Sequence, residues 1–213
     1  MTFKKYKCKL CLLLLETSII FKMSLSQYVN INTGYPFRGA IPEQVGSGVR
    51  VIQMRDISKI NGLNTTNAVE CLIEPKREPD WLQVNDIVIC GRGYNNDAAI
   101  VTAEHVANTK LLAAPHFYVL RVTSPQLLAP FLAWQLNLQA CQQYFKTEAE
   151  GTFLPSIRKA VLADTPIVVP PIAMQQRIIA LTHNLQSQRK TIEQLLSNNE
   201  QLQNGLLQQL ISH

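Results

Sequence analysis

The last forty residues constrain this chain more than any other feature. From Ile178 the positions Ile178, Leu181, Leu185, Gln188, Ile192, Leu195, Asn199, Leu202, Leu206 and Gln209 fall alternately three and four residues apart. Seven of these ten are Ile or Leu. An apolar repeat every 3.5 residues is the seam of a helix that lies along another helix. The spacing predicts one continuous helix over 172–213, about 60 Å long at ~1.5 Å per residue. A helix of that length cannot fold back over a small domain along its whole course. It implies a partner, either a second copy of this chain or another protein. A proline hinge, Pro170-Pro171, joins it to the rest of the chain, with Pro171 at or just before its first turn.

Upstream, from about Ser24, short apolar runs alternate with turn signals. Val49–Met54, Ala68–Ile73, Asp86–Cys90, Ala98–Thr102 and Phe117–Val122 have strand length and β-branched or aromatic enrichment. Asn61-Gly62, Glu74-Pro75, Gly91-Arg92-Gly93 and Asn95-Asn96-Asp97 separate them with turn chemistry. Ser124 as N-cap and Pro125 in the first turn predict a helix running to about Phe145. A short helix or turn is expected at Ser156–Val161, and a last strand at Pro166–Val169. The fold class is therefore mixed α+β. A strand-rich domain over 24–171 is followed by the long coiled-coil helix over 172–213. Residues 1–23 are set apart as an N-terminal extension. Its expected origin is an upstream over-read of the gene, because Met23 begins the stretch that flows into the domain. The apolar run Leu10–Leu15 is too short to span a bilayer.

The hydrophobic fraction of 46% is ample for a packed core. The net charge of +5 suggests an acidic partner, yet its distribution weakens the hint. Five lysines against Glu16 in residues 1–22 leave 15 basic and 14 acidic residues for 23–213, a net of +1. Only local clustering of Arg and Lys can then mark a nucleic-acid surface. Cys8 and Cys11 are spaced C-x-x-C with no second pair at zinc spacing. Cys71, Cys90 and Cys141 sit in apolar surroundings and read as buried hydrophobes in a reducing, cytoplasmic compartment. The sequence contains no phosphate-binding G-x-x-x-x-G-K-[ST] loop, H-E-x-x-H or G-x-S-x-G. Pro79-Asp80 lacks a downstream Glu-x-Lys. Val169-Pro170-Pro171-Ile172 lacks the polar residue and the aromatic of a base-holding methyltransferase tetrad. His105, His116, His183 and His213 are scattered. The chain is expected to be no enzyme and to hold no metal or cofactor.

Three segments, in order, resemble the specificity subunit of type I restriction-modification systems. They are Ile31-Asn32-Thr33-Gly34-Tyr35-Pro36-Phe37-Arg38-Gly39 with Val51–Ile57, then Leu82–Gly93, then Leu162–Ile179. A "G-aromatic-x-F" opening starts a target recognition domain in that family, and a "P-P-x-x-x-Q-x-x-I" segment ends it and begins a helix. The likeness covers nearly all of 24–213. It implies sequence-specific binding of double-stranded DNA without catalysis. It also implies assembly with a methyltransferase (modification) subunit, and usually with an ATP-driven restriction subunit. A full specificity subunit carries two recognition domains and two helices, and this chain has one of each. A half-subunit working as a homodimer is the leading reading. A coiled-coil adaptor, or a degraded fragment of a larger specificity subunit, are the alternatives. Ile172, Ala173 and Met174 stand where the family often has acidic residues.

The loop Gly91–Asn96 suits DNA. Arg92 can fork to guanine or phosphate, Asn95 or Asn96 can pair with adenine, and Tyr94 can pack on sugar or base. An ordinary hairpin turn with solvated asparagines is the competing reading. Arg158 and Lys159 form a second candidate, against a solvated helix face. Arg38 and Arg55 suit phosphate contacts, against pairing with Glu43 or Asp56. His105 and His116 read as loop or core residues. At an a position, Asn199 would meet its own copy in a parallel pair. The resemblance instead implies antiparallel helices. Asn199, Gly205 and Gln209 also suit a loosened helix end.

Overall fold

The structure is a computed structural model that describes residues 23–73 and 78–211. The extension expected over 1–23 lies outside the described residues, Met23 excepted. The chain divides at Ile172/Ala173 into two compact units.

The first unit is mixed α+β and rests on two sheets. The larger is antiparallel, in the order β2 (Val29–Thr33), β10 (Phe117–Val122), β7 (Ile87–Cys90), β8 (Ala98–Ile100). All four residues of β7 are buried. An unbroken apolar run is what a strand covered on both faces requires. Val88 and Cys90, with Phe117 and Val119 of β10, face a core shared with the second sheet. By the two-residue period, Ile87, Ile89 and Leu120 face the other side. The smaller sheet pairs β3 (Val49–Ile52) antiparallel with β6 (Val69–Glu70) and parallel with β9 (Lys110–Ala113). Val51, Ile52, Leu111 and Leu112 seal that core. A hairpin, β4 (Ile57–Ser58) and β5 (Gly62–Leu63), lies between.

Several elements depart from the sequence expectation. The strand expected over Val49–Met54 ends at Ile52, because the Asp56 carboxylate accepts the Gln53 N–H at 2.8 Å and winds Met54–Asp56 into a 3-10 turn. The single helix expected from Ser124 is two. Ser124-Pro125 makes a turn, with the Gln126 and Leu127 N–H groups donating to Ser124. After the one-turn helix α1 (Ala103–Val106), Pro130 starts helix α2 (Ala129–Leu136) instead. Asn137 then interrupts. Its side chain accepts the Ala98 N–H at 3.0 Å and donates to the Ala98 carbonyl at 2.7 Å, so the chain breaks before α3 (Gln139–Glu148). The helix expected at Ser156–Val161 is α4 (Lys159–Ala163), since Ser156 is in a β-bridge with Glu150. Strands β2, β4, β5 and β9, and the short strand Met23–Ser24, lie outside the expected set.

One ion-pair strut crosses the larger sheet. Asp86 is 1% exposed and accepts two bonds from Arg121, at 2.8 and 2.7 Å, and one from the Gln83 N–H at 2.8 Å. Arg121 also reaches Asp80 at 3.2 Å, and Asp80 accepts from Asn32 of β2. The Asp86 carboxylate holds the guanidinium above its ordinary range. Cys71, Cys90 and Cys141 are buried free thiols, as their surroundings suggested. Burial raises all three, Cys141 to about 11.

Two segments of the unit far apart in sequence meet. Short strand β1 (Met23–Ser24) pairs with β11 (Pro166–Ile167), and the Leu25 N–H donates to the Thr165 carbonyl at 3.0 Å. The second unit is formed by helix α5 (Ile172–Ile211), 40 residues without a break, whose first residue belongs to the first unit. Its length is about 60 Å at ~1.5 Å per residue. Among the described residues no helix is long and apolar enough to cross a membrane.

Candidate nucleic-acid interface

Antiparallel register places the end of β2, the start of β10 and the end of β7 at one edge of the larger sheet: Thr33 faces Tyr118, and Phe117 faces Cys90. The segments Gly34–Arg38, Ala114–His116 and Gly91–Asn96 therefore leave the sheet together. Two glycines make the crossing possible. A Cβ on Gly34 would lie 2.0 Å from the Ala114 carbonyl oxygen, and one on Gly91 would lie 2.7 Å from the Tyr118 ring. The Gly34 N–H donates to Phe117 at 2.9 Å and the Tyr35 N–H to Ala113 at 2.8 Å. The Tyr35 and Phe37 rings meet edge-on at 4.8 Å and pack on the core, which leads the exposed Arg38 outward. Glu43, its expected pairing partner, lies in a β-bridge with Cys71.

The Gly91–Asn96 loop is strapped to the segment before α4. The Ile157 N–H donates to the Gly91 carbonyl at 3.0 Å, and the Gly93 N–H donates to the Pro155 carbonyl at 2.8 Å. The Tyr94 hydroxyl donates to the Phe153 carbonyl at 3.1 Å, and the Tyr118 hydroxyl to that of Ile157 at 3.0 Å. Arg92 is in a β-bridge with Ser156. The Gly91–Asn96 loop thus adjoins the segment that leads into α4, whose cap and first residue are Arg158 and Lys159, although more than sixty residues separate them.

Arg92, Tyr94, Asn95, Arg158 and Lys159 are exposed. Arg158 meets Glu150 at 2.9 Å, with side chains 66% and 59% exposed. Such a surface pair contributes little, and an anionic ligand can displace it. Asn96 differs from the expectation. It is 4% exposed, and its side-chain amide donates to the Cys90 carbonyl at 2.8 Å while its own carbonyl accepts from Gln142. Loop closure consumes that amide, so Asn96 shapes the loop rather than facing a base. Arg55 adjoins the loop through Met54, whose sulfur is 4.0 Å from the place of a Gly93 Cβ. Its contact with Asp56 is long, 3.8 Å, and its side chain is 62% exposed. Phe153, which carries no role in the sequence expectation, is 91% exposed. The signal available was an apolar pair, Phe153-Leu154, between the turn residues Gly151 and Pro155.

The seam residues Ile178, Leu181, Leu185, Ile192, Leu195, Asn199, Leu202 and Leu206 all fall on the unbroken α5. From Leu181 to Leu206 its leucines and Ile192 are 52–66% exposed. Gly205 lies within the helix with open space around it. Among the described residues, no three His, Cys, Asp or Glu side chains are grouped to hold a metal. An open cleft of about 620 Å³, lined in part by Trp81 and Lys110, contains none of the loop residues above.

No protein-family model and no curated protein matches the chain. Solved structures do match its fold. A chain from a type I restriction-modification system, described for its complex assembly and conformational transition, aligns with a TM-score of 0.60 and 17% identity, over 84% of this chain and 41% of its own. The HsdS subunit from Thermoanaerobacter tengcongensis aligns with a TM-score of 0.55 and 18% identity, over 81% and 38%. The type I restriction-modification S subunit from M. genitalium aligns with a TM-score of 0.57 and 13% identity, over 87% and 44%. The chain spans about two fifths of the length of the structures it matches.

Proposed function

We propose that this chain is the DNA-recognition subunit of a type I restriction-modification complex. The observation that supports this reading is the shared fold: chains from type I restriction-modification systems, two of them S subunits, align over more than four fifths of this chain. Arg38 and Arg92, on segments leaving one end of the sheet, and Arg158 and Lys159, at the start of α4 beside the Arg92 loop, support duplex DNA as the ligand. Phosphate contacts fix register, and base-edge contacts read sequence. Arg92 and Asn95 are the proposed base readers, and Arg38, Arg158 and Lys159 the proposed phosphate contacts.

The chain itself catalyses nothing in this reading. Methyl transfer falls to a modification subunit, and cleavage to an ATP-dependent restriction subunit. Two copies pair through the α5 seam as an antiparallel homodimer in the cytoplasm. A two-fold pair reads one short sequence twice, in inverted orientation. Helices of about 60 Å hold the domains apart, so the half-sites are separated by several unread base pairs.

Selection of bound duplexes from a random pool, with the modification subunit present, tests this. A split palindrome is expected. A single ungapped or asymmetric motif would remove the homodimer. A salt titration tests the ligand class: affinity should fall with a log–log slope of about −0.9 per phosphate contacted. A flat salt response would favour a coiled-coil protein adaptor.

A further inference from the structure

An apolar tip stands beside the cationic loops, and the DNA-recognition reading leaves it unused. Phe153 is 91% exposed, Leu154 48% and Tyr94 68%. Lone exposed apolar side chains are ordinary, but three joined on one rigid loop pair form a patch. The rigidity is specific. Glu150 and Ser156 exchange backbone bonds of 3.0 and 2.9 Å at the loop's neck. Gly151 turns it with φ +101°. The Tyr94 hydroxyl grips the carbonyl of Phe153 itself. The loop therefore does not fold its aromatic back onto the domain, where burial would stabilise it. It presents the ring on a fixed backbone, which keeps the ordering cost of binding low.

The surroundings decide what the ring meets. Gly91–Asn96 and 149–160 carry Arg92, Arg158 and Lys159 against Glu150 alone, and Glu150 is already paired with Arg158. A flat apolar ring flanked by cations matches stacked bases flanked by phosphates. Apolar wedges that enter a base step and unstack it are an established way for a rigid loop to engage a duplex.

We propose that Phe153, braced by Tyr94, inserts into the base stack of the bound duplex and opens one step in each half-site. This rests on the DNA-recognition reading and adds a residue and a mode of contact to it. The test uses the full chain with its modification subunit and the duplex recovered from the random pool. In that duplex 2-aminopurine replaces adenine one position at a time. Wild type should raise the fluorescence several-fold at one step per half-site besides the base that the modification subunit flips out, which brightens with either protein. Phe153→Ala should abolish that rise and weaken binding about ten-fold, the factor that ~1.4 kcal/mol of lost stacking gives. Phe153→Trp should retain both. Tyr94→Phe should keep the binding register but reduce the rise. At 91% exposure Phe153 makes no core contact, so Phe153→Ala should keep the wild-type unfolding midpoint. If wild type binds and Phe153→Ala matches it in both readouts, the wedge is wrong and DNA recognition stands. If Phe153→Ala loses affinity with no position besides the flipped base brightening in wild type, the ring packs on a groove or on the protein partner, and insertion is wrong. If wild type binds no duplex, the DNA-recognition reading fails with it.

Discussion

Gly34→Ala should be among the most damaging one-methyl changes in the domain. The added Cβ would lie 2.0 Å from the Ala114 oxygen, 2.7 Å from the Ala114 carbonyl carbon and 2.8 Å from the Ala113 oxygen. All three atoms are backbone, so no side chain can swing away. Relief needs a shift of roughly 1 Å or more, because contacts between heavy atoms become favourable only near ~3.5 Å. Overpacking of this kind costs about 1–3 kcal/mol. The shift also loosens the bonds from Gly34 to Phe117 and from Tyr35 to Ala113, each contributing about 1 kcal/mol. The expected loss is therefore about 3–4 kcal/mol. At ~2–4 °C per kcal/mol for a chain of this size, the thermal midpoint should fall by about 6–16 °C. Both tryptophans, Trp81 and Trp134, lie in the first unit, so their fluorescence in urea reports that unit without α5. Gly39→Ala is the control. Gly39 has φ +90° but nothing within 4 Å of a Cβ, so only left-handed strain remains, about 1–2 kcal/mol. A Gly34→Ala protein within about 0.5 kcal/mol of wild type, or one no worse than Gly39→Ala, would show that the Ala114 approach is not what demands glycine.

Asp86→Asn should cost about 2–4 kcal/mol, since it leaves Arg121 without the bidentate partner at the sheet; an unchanged urea midpoint would show the strut to be dispensable. Acid should weaken the fold through His105, whose Nδ1 accepts the Thr102 N–H at 3.0 Å and whose pKa burial lowers. The folded state holds the proton less tightly than the unfolded chain. The stability this group contributes is therefore full above the unfolded value of about 6.5 and is lost as pH falls through the lower folded value. His105→Gln should flatten the wild-type stability slope below pH ~6.5, and equal slopes in urea titrations across pH would refute this. Leu185→Asp with Leu195→Asp should leave the tryptophan-reported domain folded yet abolish self-association in light scattering. An oligomer of wild-type mass would mean the seam is not the contact.

Local periodicity was enough to place α5. Its 3.5-residue apolar repeat begins after Pro170-Pro171, and every position of the repeat up to 211 lies on one helix. The strand Phe117–Val122 and the buried run Ile87–Cys90 were legible for the same reason, because each announces itself in consecutive side chains. Strand β9 was not. Lys-Leu-Leu-Ala has no strand preference of its own, and it is extended because β3 pairs beside it. The break between α2 and α3 was hidden too, since Asn137 ends the helix by binding Ala98, thirty-nine residues away. The candidate site shows the same division. Arginine, tyrosine and asparagine in one loop were visible as chemistry, but their directions were not. Bonds to Cys90 and Gln142 turn Asn96 inward, while bonds from Gly93 and Tyr94 to Pro155 and Phe153 hold the neighbouring loop that carries the exposed Phe153. No window of sequence contains both loops, so only the fold could bring Arg92 and Arg158 to one surface.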